Sequence, residues 1–264
     1  MKRTVKLVLA VVLALCLGAT SLLGVSARGT EVTISRADQL CYYAQEGYNN
    51  TLFGPISITE GCFKTSAKDK GTAVYLVGIA GLDPFGMLVG GYNDLLATQE
   101  SANNIKGRFY NRVVQCIKKQ CPKGANLIIT GHSLGGMIGQ QIAADKAMQK
   151  RYNILLNVCF GSPVVAAGEK KEGVIIRYED KNDVVPKSGN NVLAFASGGN
   201  DAIVEDGGFG LDALNAHNQS YALSGKFNKY DVCGKKNGTA CIILDLDTRV
   251  WYKATALKMG LGND

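Results

Sequence analysis

An α/β fold, with a mostly parallel central sheet covered by helices on both faces, is what this sequence of 264 residues predicts. Short continuous apolar runs of strand length alternate along the chain with stretches whose apolar residues recur every three or four positions. Continuous apolar strands belong to sheets buried on both sides. Composition agrees, since 46% hydrophobic and 19% charged residues supply a sizeable core without the signs of disorder. No repeat, low-complexity tract or Pro-rich linker divides the chain, so residues 28–264 are expected to form a single domain.

The first 27 residues read as a removable secretory leader. Lys2, Arg3 and Lys6 are positive, residues 7–17 are apolar, and Val25-Ser26-Ala27 offers the small residues that a signal peptidase accepts. Its rival is an uncleaved anchor, because residues 7–25 are about long enough to span a bilayer. Gly18, Thr20, Ser21 and Gly24 weaken that rival. A cleaved leader implies a secreted or extracytoplasmic body, in the periplasm or at the cell surface.

The body follows in order. Ser35 is placed to cap a helix through Leu40, Cys41 and Ala44. Residues 56–64 and 72–79 read as a strand pair around Lys68-Asp69-Lys70-Gly71, followed by a Gly-rich apolar loop at 81–91. A helix near 103–119 aligns Ile105, Phe109, Val113, Cys116 and Ile117 on one face. Then come a buried strand at 126–130, a helix at 134–149, and strands at 153–160 and 173–179. Strong β character at 240–246 and 250–253 predicts a small C-terminal β addition, as a hairpin or an edge.

Charge and cysteines bound the chemistry. Removing the three leader cations from the net charge of +7 leaves +4, too little to predict a nucleic-acid partner, which needs a concentrated basic patch. Seven cysteines remain once Cys16 leaves with the leader, which suits an oxidising compartment. Cys116 and Cys121 bracket the end of a helical stretch, Cys233 and Cys241 bracket a turn, and Cys41 and Cys62 are the remaining N-terminal pair. Three bridges are therefore expected, with Cys159 a buried free thiol. The cysteines lack the paired spacing of zinc sites, and Asp201, Glu205 and Asp206 fit no calcium-loop spacing. No metal or cofactor is expected.

The sharpest feature is Gly131-His132-Ser133-Leu134-Gly135-Gly136, between the strand ending at Thr130 and the helix starting at Leu134. Gly-x-Ser-x-Gly at a strand-to-helix junction is a nucleophile elbow, whose tight turn thrusts the serine oxygen clear of the sheet. The helix start also puts the Leu134 N–H where a developing oxyanion would sit. A serine needs a base and an acid to orient that base. The chain has two histidines. His132 points away on so sharp a turn, with a packing role under the elbow, which leaves His217 in the polar stretch 215–221, read as a loop. Glu179, Asp180 and Asp183 follow the strand at 173–179. Asp183 is preferred because Val184-Val185-Pro186 can fix its loop, whereas Glu179 and Asp180 read as a solvated strand end.

Gly-His-Ser-Leu-Gly-Gly after Ile128-Ile129-Thr130, then Phe160-Gly161-Ser162-Pro163, then Asn182-Asp183-Val184-Val185-Pro186, resembles the class 3 lipases, the fungal-type triacylglycerol lipase family, over about residues 40–221. The resemblance implies an α/β-hydrolase fold, a Ser133, Asp183, His217 triad, and hydrolysis of a lipid or acyl-ester substrate met at a membrane or lipid interface. It also implies a second oxyanion donor after the strand at 72–79. The family usually has Arg-Gly-Thr or Arg-Gly-Ser there; this chain has Ala80-Gly81-Leu82, so Leu82 offers a backbone N–H and no hydroxyl. Residues 82–91 read equally as a flap that meets acyl chains and as a loop packed on the core. A second Gly-rich loop at 197–210 is placed to form the opposite wall. Phospholipase or acyltransferase chemistry on the same triad remains open, as does a secreted lipid-binding protein without turnover.

Overall fold

A computed structural model describes residues 30–49, 54–81, 92–187 and 202–253. The expected leader, Leu82 with the rest of the loop to residue 91, and residues 197–201 lie outside them. Six α-helices are present among the described residues: α1 (Ala37–Asn49), α2 (Tyr92–Ala102), α3 (Arg108–Gln120), α4 (Leu134–Ala144), α5 (Lys146–Arg151) and α6 (Ala213–Leu223). The strands are β1 (Glu31–Ile34), β2 (Ile56–Lys64), β3 (Thr72–Ile79), β4 (Asn126–His132), β5 (Asn153–Phe160), β6 (Val174–Asp180), β7 (Ile203–Glu205), β8 (Cys241–Asp245) and β9 (Val250–Tyr252). None of these helices is long and apolar enough to cross a membrane.

The nine strands form one sheet in the order β1-β8-β2-β3-β4-β5-β6-β7, with β9 also paired to β2. From β3 to β7 every pairing is parallel. The β1, β8, β2 and β9 flank pairs antiparallel, as does β2 with β3. The sheet is therefore mixed, with the parallel part expected from the alternating strands and helices. Successive side chains along a strand face opposite ways, and both faces of the central strands are apolar. Val77, Ile79, Leu127 and Ile129 pack against Val113 and Ile117 of α3 and Met137, Ile138 and Ile142 of α4. Leu76, Ile128, Val158 and Phe160 pack against Leu40 and Tyr43 of α1 and Tyr221 of α6. Fully burying a side chain of this size stabilises by about 1.5–3 kcal/mol, so these two layers hold the strand ends at which the site is built.

Local boundaries differ from expectation for identifiable reasons. The helix expected from residue 103 starts at Arg108. Asn104 adopts φ 57°, a left-handed conformation that closes α2, and Ile105 is exposed rather than on the buried face. The helix expected at 134–149 is two, because Asp145 is extended (φ −74°, ψ 113°) and its carboxylate caps α5 through the Ala147 and Met148 N–H groups. Ser35 does not cap α1 through its hydroxyl oxygen; the Ser35 and Arg36 N–H groups instead donate to Gln39 Oε1, at 3.0 and 3.2 Å. The C-terminal strands are not a hairpin with each other, since both pair with β2.

The three expected disulfides are absent; all seven cysteines among the described residues are free thiols. Cys41 packs in the layer that contains Phe63, so Cys62, its strand neighbour, faces the other side of the sheet. Cys233 packs against that same layer, which Ile242 enters, and the adjacent Cys241 therefore points away. Cys116 lies on α3 and Cys121 caps its end. Five residues of helical rise is about 7.5 Å, beyond the roughly 7 Å that a disulfide spans. Cys159 is buried as expected, and burial pushes its thiol up to about 12.

Candidate active site

Strands β3 to β6 end level with one another, Ile79 beside Gly131, Gly131 beside Cys159, and Phe160 beside Tyr178. Crevices at the carboxyl ends of parallel strands are where such sheets bind ligands. Ser133 stands between β4 and α4 with φ 55° and ψ −122°, a conformation that L side chains rarely adopt and that costs about 1–3 kcal/mol. Its neighbours explain how the turn survives. A Cβ on Gly131 would lie 2.3 Å from the Gly135 carbonyl carbon, and one on Gly135 would lie 2.1 Å from the Ile79 oxygen. The two glycines are thus what the sequence pattern required. The turn is pinned to β5: the Ser133 N–H donates to the Phe160 oxygen at 2.9 Å, and the Ser162 hydroxyl donates to the Ser133 oxygen at 2.7 Å.

Ser133 Oγ lies 3.0 Å from His217 Nε2, and His217 Nδ1 lies 2.8 Å from Asp183 Oδ2. An ionised carboxylate only accepts, so Nδ1 carries the hydrogen and Nε2 presents its lone pair to the serine hydroxyl. His217 is on helix α6 and not in a loop, as the polar composition of 215–221 had suggested. Asp212 caps that helix by accepting from the Asn215 N–H, a start signal that precedes the polar stretch. Asp183 is fully buried. Its Oδ1 accepts the Val185 N–H at 2.9 Å, and its Oδ2 accepts the Tyr221 hydroxyl at 2.7 Å as well as His217. Tyr221 was not anticipated as part of the site. It lies four residues after His217, hence on the same face once α6 is known to be a helix.

The rival acids are engaged elsewhere. Glu179 pairs with Arg177. Asp180 is buried rather than solvated, and accepts the Asn182 and Gly207 N–H groups, each at 2.7 Å, and the Ser220 hydroxyl. Glu205 meets Lys229 and Tyr230, and Asp206 meets Lys181. His132 is fully buried beneath the elbow, 4.7 Å from the His217 ring between centroids. Burial, with His217 beside it, holds its imidazole well below the usual value and therefore neutral. Leu134 opens α4, so its N–H is among those with no partner inside the helix. Leu82 lies outside the described residues, and the described chain reaches Gly81, next to Ser133.

The family model for class 3 lipases matches residues 81–192. The resemblance carried by the three motifs therefore holds over the elbow and the Asp183 loop, with His217 beyond the matched segment. Among solved structures, the extracellular lipase LipA from Serratia marcescens is similar to part of the chain, with 21% identity over 50% of this chain and a TM-score of 0.32. The chain spans 23% of that lipase's length in the match. No curated protein matches.

Proposed function

We propose that this protein is an exported serine hydrolase of the α/β-hydrolase kind, a single domain after leader cleavage, that cleaves carboxylic esters of lipids. The reading rests on one observation above the others, the line from Ser133 Oγ through His217 to Asp183 with links of 3.0 and 2.8 Å. Those spacings suit proton transfer to a positioned base. The class 3 lipase match supports ester hydrolysis as the reaction.

In this mechanism Ser133 Oγ attacks the ester carbonyl while its proton passes to His217 Nε2. Asp183 holds the ring and stabilises the imidazolium that forms. The carbonyl oxygen, now anionic, is received by the N–H groups of Leu134 and Leu82. Collapse breaks the carbon–oxygen bond to the alcohol, which leaves with the proton from His217. Water then repeats the sequence on the acyl-enzyme, releasing the acid and restoring Ser133.

A fluorophosphonate probe tests this directly. Wild type is expected to be labelled at Ser133 and to hydrolyse p-nitrophenyl acyl esters, with Ser133→Ala folded, unlabelled and inactive. Unlabelled wild type points instead to a lipid-binding protein without turnover. Product analysis on mixed acyl esters, phospholipids and alcohol acceptors separates lipase from phospholipase and acyltransferase chemistry.

A further inference from the structure

Beneath the elbow runs a second line of hydrogen bonds that the mechanism does not use. The hydroxyl of Tyr48, on α1, lies 2.7 Å from His132 Nδ1 and accepts the Gly81 N–H at 2.8 Å. His132 Nε2 lies 2.8 Å from the backbone oxygen of His217. The far end of the line fixes every role along it. A carbonyl oxygen only accepts, so Nε2 of the neutral ring carries the hydrogen and Nδ1 is a bare lone pair. Tyr48 must therefore donate to Nδ1, and its oxygen is left to accept from Gly81. Every group in the line has a partner of the right kind.

The line joins two parts of the site that no strand pairing connects. At one end is the backbone of the base. At the other is Gly81, packed so close to the nucleophile that a Cβ there would lie 2.7 Å from Ser133 Cβ and 2.8 Å from the His132 oxygen. The next peptide N–H along the chain is that of Leu82, the second oxyanion donor in the mechanism above.

We propose that Tyr48 is a positioning residue: its hydroxyl holds the Gly81 backbone against Ser133 and, through His132, the backbone of His217, so that both keep their places about the nucleophile. This rests on the reading of the site as a serine hydrolase. Tyr48 touches no reacting atom and acts through its neighbours. Displacing a catalytic group by about 1 Å costs on the order of 100-fold in rate, so a hydroxyl that sets two such groups has a kinetic signature.

Tyr48→Phe removes the hydroxyl and keeps the ring. With active sites counted by fluorophosphonate titration, kcat on a soluble acyl ester is expected to fall about 10- to 100-fold, with KM changed by less than about threefold. A double-mutant cycle with His132→Gln is expected to be strongly non-additive, because both changes cut one line. A lower melting temperature with kcat per titrated site unchanged overturns the proposal and leaves the hydrolase reading intact; unlabelled, inactive wild type overturns both. One measurement needs no variant. With only two histidines in the chain, ¹⁵N imidazole shifts can be assigned, and His132 is expected as the neutral Nε2–H tautomer. An Nδ1–H tautomer overturns the proposal even if Tyr48→Phe does not fold.

Discussion

Asp183 Oδ2 accepts two hydrogen bonds at once, from His217 Nδ1 at 2.8 Å and from the Tyr221 hydroxyl at 2.7 Å, while Oδ1 takes the Val185 N–H. Donors thus face both oxygens, and an amide cannot satisfy this arrangement either way round. In Asp183→Asn, an amide nitrogen at Oδ2 would face His217, which would answer by moving its hydrogen to Nε2. That tautomer cannot accept the serine proton. The expected loss in kcat is about 10⁴-fold with KM little changed, measured on p-nitrophenyl esters with folding checked by circular dichroism.

Tyr221 has a double duty, because its hydroxyl also accepts the Asp180 N–H at 3.0 Å. Tyr221→Phe leaves that buried N–H unpaired and takes one donor from Asp183. Such a loss costs roughly 1–3 kcal/mol, to be read as a lower urea midpoint together with reduced kcat. Burial, and after it the Asp183 charge, push the Tyr221 phenol well above its ordinary value. An alkaline titration followed at 295 nm is expected to leave Tyr221 silent in the native state, together with Tyr110 and Tyr178, whose phenols burial also pushes far up, and all three are expected to appear on unfolding. A native transition near pH 10 that disappears in Tyr221→Phe would contradict this placement.

Much of this was legible in the chain because the signals were local. Residues 126–136 carry a strand, two obligatory glycines and a helix start within one turn, so elbow and nucleophile could be read together. The proposed base, His217, followed by elimination between two histidines. The errors turned on matters that local composition does not carry, namely backbone breaks such as those at Asn104 and Asp145 and the way a side chain faces. His217 looked like a loop residue because Asn215, Asn218, Gln219 and Ser220 mask the helix that Asp212 caps. The cysteine pairs were joined by nearness in sequence, which is blind to the sheet face that Cys41, Cys62, Cys233 and Cys241 occupy and to the helical rise between Cys116 and Cys121. Asp180, between Glu179 and Lys181, looked solvated, yet strand alternation turns it inward, where backbone N–H groups meet it. Tyr48 and Tyr221 carry no motif at all; each is recognisable only once α1 and α6 are laid beside the strand ends.

Asp145 joins two helices to the rest of the layer and gives a prediction in acid. Its carboxylate caps α5, with the Ala147 N–H at 2.6 Å, and also receives the Lys106 ammonium at 2.8 Å and the Tyr110 hydroxyl. Burial alone would raise this carboxyl, but the hydrogen bonds from Lys106, Tyr110 and Ala147 outweigh it and hold the group down at about 2. An unfolded Asp titrates at about 3.9. Because the folded value is the lower one, the stabilisation is complete above about pH 4 and is lost as the pH falls through about 2. Asp145→Ala removes the cap and leaves the Tyr110 hydroxyl without its acceptor, at a cost of roughly 1–2 kcal/mol near neutral pH. Urea unfolding of wild type and variant across pH 2–7 is the check. The gap between them is expected to be constant from pH 7 to about pH 4 and to shrink below it; a gap that widens in acid would mean that Asp145 is not held as its ionised form.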